Sequence, residues 1–256
     1  MRIATWNLNS VRAREARLLA WLARKQPELV CLQELKAAND DFPSAALKAL
    51  GYQAAVHGQR TYNGVAILSH EPLAEVEKGF RDGDDDAQAR VISARVSGIR
   101  VVCAYFPNGG EVGSEKFGYK LRWMERMRGY LERTLEKGES AVLCGDFNVA
   151  PEDRDVARPE EWKESVLCHP EARAALARIA DLGLEDTFRK HHSEGGHYSW
   201  WDYRMLGFPK NNGLRIDHIF ATEPLAARCS SAEIDRNERK GKQPSDHAPV
   251  LATFAQ

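Results

Sequence analysis

Short apolar runs recur along the chain, and nearly every one stops at a polar side chain. Residues 3–7 end in Trp6-Asn7, and residues 29–32 lead into Gln33-Glu34. Residues 101–105 end at Tyr105, and residues 141–144 pass through Gly145 into Asp146-Phe147-Asn148. Asp217 lies in the alternating run 214–220, and Asp246-His247 precede a last run at 250–254. Runs of this length read as strands. Continuous apolar character predicts burial on both faces. The alternation of 214–220 predicts a half-buried strand. Further strands are expected at 52–56, 64–68 and 91–96, the last forming a hairpin with 101–105 around Ser97-Gly98. Gly145 is expected to end its strand where the backbone needs freedom.

Helical spacing fills the gaps. Ser10 is placed to cap a helix through Leu18, Leu19 and Leu22. Residues 43–50 predict a short helix. Residues 116–135 predict a long amphipathic one, with Phe117, Leu121, Met124, Tyr130 and Leu131 facing the core. Pro170 opens a helix to about residue 182, which Gly183 ends. Many short strands with a few helices point to one mixed α/β (α+β) domain over residues 1–256.

At 256 residues and 43% hydrophobic, the chain has enough apolar mass for a large core. A net charge of -1 announces no polyanion partner, so a nucleic-acid site must rest on local patches. No apolar run approaches the roughly 20 residues of a membrane span, and Met1-Arg2-Ile3 enters a strand pattern with no signal-peptide anatomy. The five cysteines have no metal-like spacing. Cys31, Cys103 and Cys144 sit in apolar runs as small hydrophobes, which suits a reducing compartment, and a cytoplasmic location is expected.

The strand-ending residues Asn7, Glu34, Tyr105, Asp146, Asn148, Asp217, Asp246 and His247 suit one task. Asp146 and Asn148, two apart on extended chain, project to one side. Alone they would read as an Asx turn. Carboxylates and amide oxygens hold hard cations such as Mg²⁺ or Mn²⁺. A His beside a carboxylate can serve as base or as phosphate donor. Together these groups describe metal-assisted attack of water on a phosphoester.

The motifs go further. Trp6-Asn7-Leu8-Asn9, Cys31-Leu32-Gln33-Glu34-Leu35-Lys36, Tyr62-Asn63-Gly64 and Tyr105-Phe106-Pro107-Asn108-Gly109 occur in that order. Gly145-Asp146-Phe147-Asn148, Ser199-Trp200-Trp201-Asp202-Tyr203-Arg204, Gly213-Leu214-Arg215-Ile216-Asp217 and Ser245-Asp246-His247 follow. With these the chain resembles the exonuclease III family of DNA-repair nucleases, within the endonuclease/exonuclease/phosphatase superfamily. The resemblance implies a four-layer α/β sandwich, two mixed β-sheets face to face with helices outside. It implies Mg²⁺ or Mn²⁺ at Glu34, helped by Asn7 and Asp246, with Asp146, Asn148 and His247 also in the metal's neighbourhood. Asp146 would activate water or protonate the leaving group, while Asn148 and His247 bind the scissile phosphate. Asp217 would orient His247, and Tyr105 would touch the phosphate. Whether Asp146 or His247 is the base stays open. Trp200, Leu214 and Ile216 match an apolar pocket for a baseless sugar or the 3′ nucleoside. Tyr62, Arg90 and Asn108 match backbone contacts.

The implied activity is 3′-to-5′ exonuclease action on duplex DNA, abasic-site cleavage and 3′-end cleaning. The expected partner is double-stranded DNA with abasic sites or 3′ ends, bound by a monomer, with no membrane involved. Two departures stand out. Ser10 replaces a glycine, which should stiffen its loop, and residues 157–169 follow no family pattern. A phosphatase or phosphodiesterase on lipid or inositol head groups, a secreted DNase, a 3′-exonuclease with weak abasic-site activity and a catalytically dead DNA-binding module remain the competing readings.

Overall fold

The computed structural model describes residues 1–84 and 86–255, so Asp85 of the acidic stretch 81–86 lies outside the described residues. The first half runs β1 (Arg2–Asn7), α1 (Val11–Lys25), β2 (Leu29–Gln33), α2 (Ser44–Ala49), β3 (Gln53–His57), β4 (Val65–Ser69), β5 (Ala74–Lys78), β6 (Val91–Val96), β7 (Ile99–Tyr105). The second runs α3 (Glu115–Thr134), β8 (Ala141–Asp146), α4 (Pro159–Trp162), α5 (Pro170–Ala180), β9 (Leu184–Asp186), β10 (Asp217–Thr222), α6 (Glu223–Ala226), β11 (Cys229–Ile234), β12 (Val250–Phe254).

The strands form two six-stranded sheets, ordered β11-β12-β1-β2-β4-β3 and β5-β6-β7-β8-β10-β9. Each has a central parallel pair joined by a helix: β1 with β2 across α1, and β7 with β8 across α3. Antiparallel strands flank both pairs. Ile67, Val101, Cys103, Cys144 and Ile219 are among the side chains packed between the sheets. Trp6, Leu18, Trp21 and Leu22 pack α1 on the outside of the first sheet. Met124, Met127, Leu143 and Leu176 pack α3 and α5 on the outside of the second. Burial on both faces is why β2 and β4 read as unbroken apolar runs. Fully burying one such side chain contributes about 1.5–3 kcal/mol.

Ser10 does cap α1, accepting from Ala13 N at 3.4 Å. Ser114 caps α3, accepting from Phe117 N at 3.2 Å. Leu121 is only partly buried; Lys120 and Trp123 are closed in instead. Gly145 lies inside β8 rather than ending it, at φ +155, and a Cβ there would meet the Ala104 carbonyl oxygen at 1.8 Å. Three carboxylates of the acidic stretch are tied to α3, where Arg126 pairs with Asp82 at 2.8 Å, Asp84 at 3.2 Å and Asp86 at 3.3 Å. Strands β5, β9 and β11 have no clear sequence signal. Two are mostly exposed edges and β9 is three residues long.

Residues 214–220 depart most from expectation. Regular strand begins only at Asp217, and every residue from 213 to 221 is buried. Arg215 breaks the alternation by taking its charge inside, with Nε donating to Asp155 at 2.7 Å and Nη2 paired with Asp186 at 2.8 Å. Its Nη1 donates to His218 Nδ1 at 3.0 Å, while His218 Nε2 lies 3.1 Å from the Val149 carbonyl. The carbonyl accepts, so Nε2 carries the proton and the imidazole is neutral. Burial first and Arg215 second push its pKa from 6.5 down to about 4. The unfolded state therefore binds an extra proton between these values, and stability must fall as pH drops from 6.5 toward 4, by about 3 kcal/mol for this group. Urea unfolding between pH 7 and pH 4.5 should show a shallower pH slope in His218→Gln than in wild type. Equal slopes would refute the assignment.

Candidate active site

The predicted polar strand ends meet at one edge of both sheets. In the second sheet Tyr105 and Asp217 are both direct register partners of Asp146. In the first, Asn7 closes β1 opposite Gln33, and Glu34 follows at once. The loops there are tightly turned: Asn9, Ser10, Glu34, Lys36, Asn63 and Asn148 all have positive φ. Such conformations cost of order 1–3 kcal/mol for non-glycine residues and concentrate at working sites. Ser10, at φ +94, occupies a backbone conformation that suits the missing glycine better. Backbone bonds brace the turns, from Leu35 N to Gly64 O at 3.1 Å and from Lys36 N to Asn63 O at 3.0 Å.

Asn7 links the two halves. Its Nδ2 donates to Glu34 Oε1 and to Asp146 Oδ2, both at 2.9 Å. Lying between two carboxylates, the amide must present its nitrogen, and its oxygen accepts from Asn9 N at 2.9 Å. Asp146 also accepts from Asn148 N at 2.9 Å. Asn148 Nδ2 donates to Phe106 O at 3.0 Å, and its oxygen accepts from Asn108 Nδ2 at 3.1 Å. Glu34, Asp146 and His247 bring one ligand atom each within 4.8 Å of one another. Lys36 Nζ sits 2.9 Å from the other Glu34 oxygen and donates to Asn9 Oδ1 at 2.6 Å.

His247 Nδ1 lies 2.8 Å from Asp217 Oδ2, and its Nε2 lies 3.7 Å from Asp146 Oδ2. Burial alone would lower the imidazole's pKa; the Asp217 and Asp146 charges overturn this and raise it to about 10. Burial raises the Asp146 carboxyl to about 7, opposed by His247 and assisted by Asp217 and Glu34. Tyr105 is pushed well above its ordinary value by burial, then by Glu34 and Asp146. This gathering of carboxylates around one imidazole, with oxygen ligands predominating, has the chemistry that a hard divalent cation fits.

The structure separates some predicted residues from this group. Asp246 is not among the three converging ligand groups; its carboxylate accepts from Trp200 Nε1 and Asn9 Nδ2, each at 3.0 Å. Leu214 and Ile216 do not line an open pocket. They are 0% and 2% exposed and packed in the second sheet's outer core, Leu214 being bridged to both Trp200 and Val156. The open cleft nearby, about 480 Å³, takes its apolar wall from Trp200, Trp162, Val166 and Leu167, with Asn108 and Arg204 at its polar side. Trp162 stands edge-on to Trp200, ring centres 5.8 Å apart. Arg90 lies over the Tyr105 ring at 4.7 Å, and Tyr62 is 68% exposed. Arg239 of the basic loop 236–242 is buried, donating to Trp201 O and Ser245 O.

Two contributors escaped the sequence reading. Ser199 Oγ donates to Asp217 at 2.6 Å while accepting from Ile216 N and Asp217 N. Lys120 Nζ donates to the carbonyls of Asn108, Asn148 and Val166 at 3.1, 2.7 and 2.8 Å, tying the two Asn loops to the cleft wall. Burial lowers its pKa to about 7, and only the ammonium form has three protons for three acceptors. The signal was available: Lys120 shares the apolar face of Phe117 and Met124.

A family model described as endonuclease/exonuclease/phosphatase matches residues 4–247. The chain belongs to that family. Exodeoxyribonuclease III of Haemophilus influenzae is 37% identical, over 99% of this chain and 100% of its own length. An AP endonuclease structure from Archaeoglobus fulgidus is 40% identical with a TM-score of 0.97, covering both chains fully. The 3′ phosphatase NExo from Neisseria, bound to a product DNA hairpin, is 41% identical at a TM-score of 0.97, again over both full chains. The exonuclease III resemblance and the paired mixed sheets are thus borne out across the chain.

Proposed function

We propose that the chain is a metal-dependent DNA-repair phosphodiesterase of the exodeoxyribonuclease III and AP endonuclease type, a single-domain monomer working in the cytoplasm. The observation that carries this is the convergence of Glu34, Asp146 and the Asp217–His247 pair at one edge of both sheets. A hard cation, Mg²⁺ or Mn²⁺, would be held at Glu34 and, when bound, would polarise a phosphoryl oxygen. Asp146, with its carboxyl raised to about 7, is poised to exchange a proton near neutral pH. His247 is held at Nδ1 by Asp217, which turns Nε2 toward the site. With its pKa raised to about 10 it stays protonated and donates to the phosphate, stabilising added charge. This division makes Asp146 the acid–base group. Asn148 and Tyr105 position the phosphate, and Asn108, Arg90 and Tyr62 follow the DNA backbone. Trp200 and Trp162 receive the extrahelical sugar, in place of Leu214 and Ile216.

The test uses a duplex with one abasic site, a 3′-phosphate duplex and a blunt duplex. Mg²⁺ should support cleavage of at least the first two, and excess EDTA or Glu34→Ala should abolish it. Full activity in EDTA would overturn the metal assignment. Activity on inositol phosphates but on none of the duplexes would overturn the substrate class.

A further inference from the structure

The loop between β9 and Ser199 takes no part in the cluster above. It carries His191-His192-Ser193-Glu194-Gly195-Gly196-His197. Here His192 Nδ1 lies 3.5 Å from Glu194 Oε1, and His197 Nε2 lies 2.8 Å from the same oxygen. The three side chains can each point a ligand atom within 4.8 Å of the others. The turn that folds them together passes through Gly196 at φ +90, a left-handed position.

The other nitrogen of His192 decides its tautomer. Nε2 lies 2.8 Å from the Ala232 carbonyl oxygen on β11. That oxygen only accepts, so Nε2 carries a proton and Nδ1 is the nitrogen that faces the Glu194 carboxylate. One ring nitrogen donating to a carbonyl while the other faces a ligand group is also how metal-binding imidazoles are oriented. The rings are held in place by Phe188, which stacks on His192 at 4.3 Å and meets His197 at 5.4 Å.

We propose that His192, Glu194 and His197 form a second metal site, a Zn²⁺ site separate from the Glu34–Asp146–His247 cluster. Two imidazoles and one carboxylate suit Zn²⁺ better than Mg²⁺, and leave a fourth position for water. The site borders a cleft of about 240 Å³ lined in part by Phe188, Tyr198 and Arg236. Its place in the fold gives its effect. Through His192 it anchors the loop to β11, and the same loop runs directly into Ser199, which holds Asp217. Bound Zn²⁺ clamps that loop and stabilises the folded chain by mass action.

The test starts from chelator-stripped full-length protein in saturating Mg²⁺. Zn²⁺ is titrated by calorimetry, and Co²⁺ by its visible absorption in tetrahedral sites. The wild type should bind one Zn²⁺ per chain and melt higher when it does. Glu34→Ala should keep this binding, which separates the site from the catalytic reading. His197→Gln and Glu194→Gln should each weaken Zn²⁺ by at least about 100-fold, since outer partners alone are worth 10- to 100-fold. Both should cleave DNA with Mg²⁺ as wild type does. Absence of Zn²⁺ binding, binding that survives His197→Gln, or binding that vanishes in Glu34→Ala would each overturn the site.

Discussion

Asp146→Asn should lower kcat by about 10²–10⁴-fold, the range of a lost acid–base group, while KM for an abasic duplex stays near wild type. The reason lies in what the substitution keeps. The new amide oxygen can still accept from Asn7 Nδ2, so the link across the sheet edge survives. What is lost is the exchangeable proton, which matters in the transition state and little in the bound ground state. Stability supplies the control. The Asp146 carboxyl is raised by burial to about 7, so between its ordinary 3.8 and that value the native state holds more protons than the unfolded one. By linkage its ionisation lowers stability as pH rises through that window. An uncharged amide removes the penalty, so the variant should melt no lower than wild type at pH 7.5. His247→Ala should differ, because it leaves Asp217 and Asp146 buried without their imidazole and costs stability as well as turnover. Wild-type cleavage by Asp146→Asn would remove it from the chemistry. A large drop in its melting temperature would make its role structural.

What the sequence shows and hides follows from how each residue earns its place. Asn7, Glu34, Asp146, Asp217 and His247 were legible because each interrupts an apolar run, and interruption at a strand end is a local signal. The two sheets were legible because strands covered on both faces are continuously apolar. Edge strands β5 and β11 lack that signature, since their solvent faces admit Glu, Ser and Lys. Leu214 and Ile216 were read as pocket walls from the family resemblance, and strand spacing fixes their common face without saying whether that face is open. The cleft instead borrows Trp162 and Val166 from a stretch whose order comes from distant partners. Lys120 and Arg215 show the same limit from the polar side: their acceptors lie far along the chain, on Val166 and on Asp155 and Asp186.

Asp155→Ala should destabilise the fold by about 3–5 kcal/mol, the range for a buried ion pair broken on one side. Asp155 is fully buried and accepts from Arg215 Nε at 2.7 Å and from Arg189. Burial alone would raise its carboxyl; the charges and hydrogen bonds of Arg215 and Arg189 hold it below the ordinary value instead. Alanine there leaves the buried Arg215 with Asp186 as its only carboxylate partner among the described residues. It also removes the acceptor for Glu152 N at 3.0 Å, which closes the turn before Val156. The damage reaches the cleft, because this turn carries the chain toward Trp162, and its backbone is tied to the strand that leads into Asp217. Arg215 N donates to Asp155 O at 2.9 Å, and Val156 bridges to Leu214. Urea unfolding measures the loss, and a combined variant tests the cause. If an unpaired charge is responsible, Asp155→Leu with both Arg215→Met and Asp186→Leu, which removes the buried charges together, should recover much of the stability, as apolar replacement of whole buried ion clusters often does. A combined variant no more stable than Asp155→Ala would place the loss in the turn and its hydrogen bonds. An Asp155→Ala protein within about 1 kcal/mol of wild type would show that Asp186 alone satisfies the guanidinium, contrary to the ordinary cost of stranding a buried charge.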